Sequence, residues 1–248
     1  LALNKFLIFP KHPTLEVYQY IFSTSTFLRS MIVTIVITVV GTLVNLIMTC
    51  LMAYPLSRKA LPGRSVIMTA VTFTLVFSGG MIPTYLVVNS LGLIDTYTSL
   101  ILPGAISSFN LILVKNFFQE IPESLIDAAQ IDGSSEMNTL VKIVLPLSKP
   151  ALATFTMFYA VGHWNQFMQP LLYLNDSKKW TIQILLRQIV LMSQSGVGDE
   201  DAMPPGFVLP VKSLKMACIV VSTLPIIAAY PFMQKYFDKG VMSGSIKG

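Results

Sequence analysis

The charges of this chain are confined to short islands, and that confinement restricts its fold more than any motif does. No Asp, Glu, Lys or Arg stands between Arg29 and Arg58, Arg64 and Asp95, Asp95 and Lys115, Lys149 and Asp176, or Lys215 and Lys235. Each window holds the roughly 18–20 residues that a helix needs to cross about 30 Å of hydrocarbon. Spanning helices are therefore predicted at about 30–56, 65–89, 97–118, 150–173 and 212–234. A large soluble helical core would keep polar outer faces on its helices, and these segments have none. Only 12% of the residues are charged, against about 25% in soluble domains. The fold class is an all-α, polytopic membrane protein with five transmembrane helices, and residues 1–248 form one transmembrane domain.

The placement of the charges sets the orientation. Arg58, Lys59 and Arg64 crowd the turn after the first span; Lys115, Lys142 and Lys149 flank the loop at 120–149; Lys235, Lys239 and Lys247 follow the last span. The positive-inside rule assigns these three regions to the cytoplasm. The 90–96 turn and the long segment 174–211 then lie outside, although Lys178, Lys179 and Arg187 weaken the bias there. The N-terminal end is expected outside and the C-terminus inside. The stretch before Arg29 has no predicted span to carry it across. That fits either a preceding helix, the first of six, or a cleaved signal peptide.

Several function classes are set aside. There is no G-x-x-x-x-G-K-[ST] to cradle nucleotide phosphates and no H-E-x-x-H. His12 and His163 are far apart and suggest no metal set. Cys50 and Cys218 both fall inside spans and read as small buried hydrophobes. No Asp, Glu, Lys or Arg lies near the middle of a span, where proton- or sodium-coupled transporters keep such groups. Energy for transport must come from another chain, or the chain is a passive channel or scaffold.

One stretch stands apart from this apolar background: "DAAQIDGSSEMNTLVKIVLP", residues 127–146. It reads as two short helices with a corner. Pro122 and Glu123 suit a helix start, Gly133 suits a left-handed corner, and Ser134 or Ser135 suits the next cap. Pro146 is where the chain is expected to turn back to the membrane. Helices this short are marginal alone. Ala128 and Ala129 would let a partner backbone come close.

The spacing of Asp127, Ala128, Ala129, Gly133, Ile143, Leu145 and Pro146 resembles the E-A-A-x-x-x-G-x9-I-x-L-P signature of ATP-binding-cassette (ABC) importer permeases. The one departure is Asp127 for the usual Glu. The resemblance implies a type I ABC importer permease fold in the bacterial cytoplasmic (inner) membrane, with this stretch as the helix that couples the spans to a separate ATPase. It also implies a second permease subunit, two ATPase subunits carrying ATP and Mg, and an extracytoplasmic solute-binding protein. No catalysis, no cofactor in this chain and no nucleic acid are implied. "AYPLSRKALPGRS", "WNQFMQPLLYL" and the tail "KYFDKGVMSGSIKG" resemble the carbohydrate-uptake branch, and the tail (235–248) is implied to reach between the ATPases. The tail and the "FFQEIPESLIDAAQIDG" run resemble permeases for complex oligosaccharides, such as fragments of acidic plant or algal polysaccharides. A permease for a non-sugar solute is an alternative.

A sugar path needs hydroxyl partners and aromatic faces. Tyr159, His163, Trp164, Asn165, Gln166 and Gln169 supply them in one run. Of these, Tyr159, Trp164, Asn165 and Gln169 are the candidates for the substrate path; the competing role is bonding between helices. "SGGMIP" at 78–83, "LPGA" at 102–105, Pro225 and Pro231 interrupt spans. They mark either bends along the path or ordinary proline kinks.

Overall fold

The computed structural model of the chain describes residues 15–194 and 213–228, and every regular element among them is helical. Helix α1 (Glu16–Ser23) leads into α2 (Ser25–Ser57), a 33-residue helix. Of the helices described, α2 alone is long and apolar enough to cross a membrane unaided. Ile32, Val36, Val39, Leu43 and Ile47 leave an exposed apolar stripe along it, as a surface meeting lipid or another chain requires.

The next three predicted spans are broken, and prolines explain where. The 65–89 segment forms α3 (Arg64–Val76) and α4 (Met81–Ser90), bent by 117°. A continuous helix would drive the Pro83 ring into the Gly79 carbonyl. Gly80 has φ +86, which ends the ladder. The 97–118 segment forms α5 (Thr98–Ile101), a 3₁₀ turn (Leu102–Gly104) and α6 (Ser108–Gln119), bent by 55° around Pro103.

Helix α7 (Glu123–Ile131) follows. After it come α8 (Glu136–Thr139), a π-helical turn (Leu140–Val144) and α9 (Leu145–Leu147). The chain does not turn at Pro146, as the sequence reading expects. It runs on to Ser148, bends by 86°, and enters α10 (Lys149–Trp164) with Pro150 in its first turn. The wider π register accommodates Pro146 without the α-helical hydrogen bond that proline cannot donate.

The expected 150–173 span also stops early, at Trp164. Pro170 would clash with the Gln166 carbonyl, so α11 (Met168–Tyr173) starts afresh. A 3₁₀ turn (Ser177–Lys179), α12 (Ile182–Gln194) and α13 (Ser213–Ala228) complete the described chain. Only part of the 212–234 span, and none of the 235–248 tail, lies within the described residues.

Helix α2 is the axis of the packing. Its Ala53 and Leu56 meet Leu111, Val114 and Phe118 of α6 and Phe155 of α10 in the largest apolar cluster. Val33 and Ile37 meet Val88, Leu100, Tyr173 and Leu174 nearer the other end. Ile21 and Phe27 meet Ile182, Ala217, Cys218 and Val221. Cys50 and Cys218 are buried in different clusters as free thiols.

Candidate functional site

The α7–α8 loop is a folded corner stitched to the end of α2. Gly133 has φ +77, and the Ser134 amide donates to the Ala129 carbonyl at 2.9 Å, closing α7. Ser135, not Ser134, caps α8: its hydroxyl accepts from the Asn138 amide at 3.3 Å. The key link is Glu136. One carboxylate oxygen accepts from the Tyr54 hydroxyl at 2.6 Å, and the other accepts from Gln130 Nε2 at 2.8 Å. A carboxylate therefore joins α2, α7 and α8 at one point. The Arg58 guanidinium lies 5.7 Å from the centre of the Tyr54 ring. A cavity of about 540 Å³ between α2 and the loop is lined by Arg58 and Lys59 on one side and Glu123, Asp127 and Glu136 on the other. The cavity thus carries charges of both signs, without an ion pair across it among the described residues.

The signature residues divide by surroundings. Asp127 and Ala128 are exposed, whereas Ala129 is 8% exposed and Ile126 3%, both turned into the chain. The alanine pair does not form one outward face. Leu125, Ile131 and Met137 supply the apolar part of the outer surface, with Ile131 86% exposed. Ile143 and Leu145 are half-buried and Pro146 is exposed.

The polar run of the fourth described span is split as well. Tyr159 bonds Thr49 of α2 at 2.8 Å, wholly inside the chain. His163 Nε2 donates to Asn45 Oδ1 at 2.6 Å, and Asn45 Nδ2 donates to the Gly104 and Ala105 carbonyls. Those carbonyls are freed by the break at Pro103, and Asn45 satisfies them in place of water. A Cβ on Gly41 would meet the His163 ring at 2.5 Å, so glycine is what lets the ring in. Trp164 is 6% exposed, and its carbonyl accepts from Gln183. Gln166 donates to the Leu100 carbonyl at 3.1 Å. Asn165 and Gln169 remain exposed. Sequence reasoning missed Asn45, Tyr54 and Glu136. The one signal for Asn45 was a lone amide amid apolar residues of α2.

At the opposite end, Asp95 ties two loops. It has φ +59. Its carboxylate accepts from the Asn175 and Asp176 amides at 3.1 and 3.0 Å and from Lys179 Nζ at 2.6 Å. The Lys179 ammonium, helped by those amides, holds the Asp95 carboxyl below the ordinary carboxylate range; the same pairing raises Lys179.

Comparison with known proteins places this geometry in a family. Residues 60–243 match the family described as "Binding-protein-dependent transport system inner membrane component". Protein LplC of Bacillus subtilis (strain 168) is 56% identical over 248 residues, covering 100% of this chain and 84% of that protein. The polygalacturonan/rhamnogalacturonan transport system permease protein YtcP of the same organism is 54% identical over 245 residues, covering 99% and 86%. A chain in the crystal structure of a bacterial ABC transporter involved in import of the acidic polysaccharide alginate superposes with a TM-score of 0.83. It is 31% identical, over 92% of this chain and 81% of that one. A loop folded onto an unbroken 33-residue apolar helix, beside apolar helices broken at prolines, is thus the architecture of a known class: the chain belongs to the binding-protein-dependent transport system inner membrane components, the permease family of ABC importers.

Proposed function

We propose that this chain is one permease subunit of an importer that carries an acidic oligosaccharide across the cytoplasmic membrane. Separate ATPase subunits drive it, and an extracytoplasmic binding protein feeds it. The observation that carries the coupling half of this reading is the Glu136 junction. A polar corner with an exposed apolar surface is bonded directly to α2, so force applied to the loop reaches a span without passing through a flexible linker. A passive channel has no use for such a joint. The sugar half draws on the relatives, two of which carry polygalacturonan, rhamnogalacturonan or alginate in their descriptions.

In this reading the Arg58–Arg64 turn and the α7–α8 loop face the cytoplasm, and Asp95 faces outward. Leu125, Ala128 and Ile131 contact the ATPase. Asn165 and Gln169, exposed beside the break in the fourth span, line the path, while Tyr159 and Trp164 shape it from behind. Reconstituting the whole transporter in proteoliposomes and following labelled trigalacturonate tests this. Uptake that requires ATP and the binding protein is expected; uptake that proceeds without ATP overturns it.

A further inference from the structure

Where α3 and α6 meet, two cations share a groove and have no carboxylate partner among the described residues. Helices α3 and α6 touch through Val71 and Leu111, and the Thr74 and Ser108 hydroxyls pair at 2.9 Å above that contact. Between the two helices is a groove of about 650 Å³. Arg64 and Lys115 lie in it together. Lys115 is only 8% exposed and has no ion-pair or hydrogen-bond partner among the described residues. Arg64 commits its Nε to the Leu56 carbonyl at 2.8 Å, and its terminal nitrogens have no acceptor among those residues. No acid lines the groove. In the reading above, both cations open onto the groove at its cytoplasmic end, and no carboxylate among the described residues answers them, so an anion that enters the groove would be their charge partner.

The rest of the groove is equally specific in its chemistry. Ser65, Thr69 and Thr72 repeat at helical spacing along α3. Thr69 and Thr72 spend their protons on the Ser65 and Met68 carbonyls, at 2.9 Å each. What they present to the groove is acceptor lone pairs, which suit the hydroxyl donors of a sugar. Phe73 lies further along, stacked on Phe77 with ring centres 4.6 Å apart. A fatty acyl chain would have no use for the hydroxyls. A uronate uses every part: carboxylate at Lys115 and Arg64, ring hydroxyls at the threonines, the apolar ring face at Phe73.

We propose that the α3–α6 groove binds a uronate unit of the transported oligosaccharide, with Lys115 and Arg64 as its carboxylate partners. This rests on the acidic-oligosaccharide reading above. The test uses the complete transporter in proteoliposomes, with trigalacturonate and its neutral methyl ester as competing probes. Lys115→Met is expected to lower the preference for acid over ester about tenfold, the loss of one charge-assisted contact, and Lys115→Arg is expected to restore it. Subunit retention on pull-down confirms that the variants assemble. An unchanged preference in Lys115→Met overturns the site. So does a defect that follows the phosphatidylglycerol content of the vesicles instead of the charge of the sugar, which would mark a lipid site. A wild-type transporter that carries the ester but refuses the acid defeats the acidic-oligosaccharide reading itself, whatever the variants do.

Discussion

At the scale of single residues, the interior is held by a few polar groups whose partners are far away in sequence. Asn45 is 1% exposed and serves α2, the 102–105 break and α10 at once. Asn45→Leu leaves two carbonyls and a histidine unpaired inside a membrane protein. Bonds of this kind are worth about 0.6–2 kcal/mol each, so loss of the three is expected to cost about 2–6 kcal/mol in denaturant unfolding of the detergent-solubilised protein. A variant as stable as wild type would show that water replaces the amide. Asp95 gives a pH-dependent counterpart. Its carboxyl is held below its ordinary value, so its stabilising contribution is fully present above the unfolded-state value of about 3.9 and is lost as pH falls through the lower folded-state value. Lys179, raised, keeps its full share below its unfolded-state value of about 10.4 and loses it as pH rises through the higher folded-state value. Asp95→Asn retains tolerance for positive φ but loses the ion pair. The melting difference from wild type is expected to be flat between about pH 5 and 9 and to close below about pH 4. A difference that persists in acid would mean the hydrogen bonds alone matter.

At the scale of elements, the corner between α7 and α8 separates two effects that the sequence could not. The left-handed residue was legible, because a glycine between two short polar helices has few other uses. Which alanine faces outward was not: it depends on how α7 rolls against α2, and Glu136 and Tyr54 fix that roll from opposite ends of a separation of 82 residues. A Cβ at Gly133 meets nothing within 4 Å, so its replacement is opposed by backbone strain alone. Gly133→Val is expected to cost about 1–3 kcal/mol locally and to weaken ATPase retention on pull-down, while Gly133→Asn, tolerant of positive φ, retains it. Ala128→Arg is expected to block the ATPase without disturbing the loop. Ala129→Arg, forced into the chain, should lower expression and stability instead. Equal behaviour of the two arginine variants would refute this assignment of faces. The broken spans follow the same division. Pro83 and Pro103 announce breaks, whereas the stop before Pro170 was not read from the sequence, and the bend angles of 117° and 55° come from packing that no local pattern encodes.

At the scale of the whole molecule, composition already required helices in a bilayer, since uncharged runs of that length have no other stable home. The assignment of polar residues within them was beyond reach. Tyr159 and His163 face α2 because α10 runs antiparallel to it in a register that brings Thr49 to Tyr159 and Asn45 to His163. Orientation is checked with single cysteines at positions 95 and 59 and an impermeant thiol reagent on intact cells. Labelling at 95 and protection at 59 are expected; the reverse overturns the assignment. Helix α2 runs unbroken for 33 residues, with the loop bonded near one end, the amide hub at Asn45, and Thr34 bonded to Ile182 toward the other. At 1.5 Å per residue, Asn45 stands about 18 Å from Ser57 and about 30 Å from Ser25. Spin labels at positions 28 and 59, read against a reference on α6, are expected to move in opposite senses when ATP is added to the complete transporter, with the larger excursion at 28; movement in the same sense would rule out a fulcrum at Asn45. Pivoted there, α2 is a lever with unequal arms, so an angstrom of travel imposed at the loop becomes nearly two at the far face of the membrane.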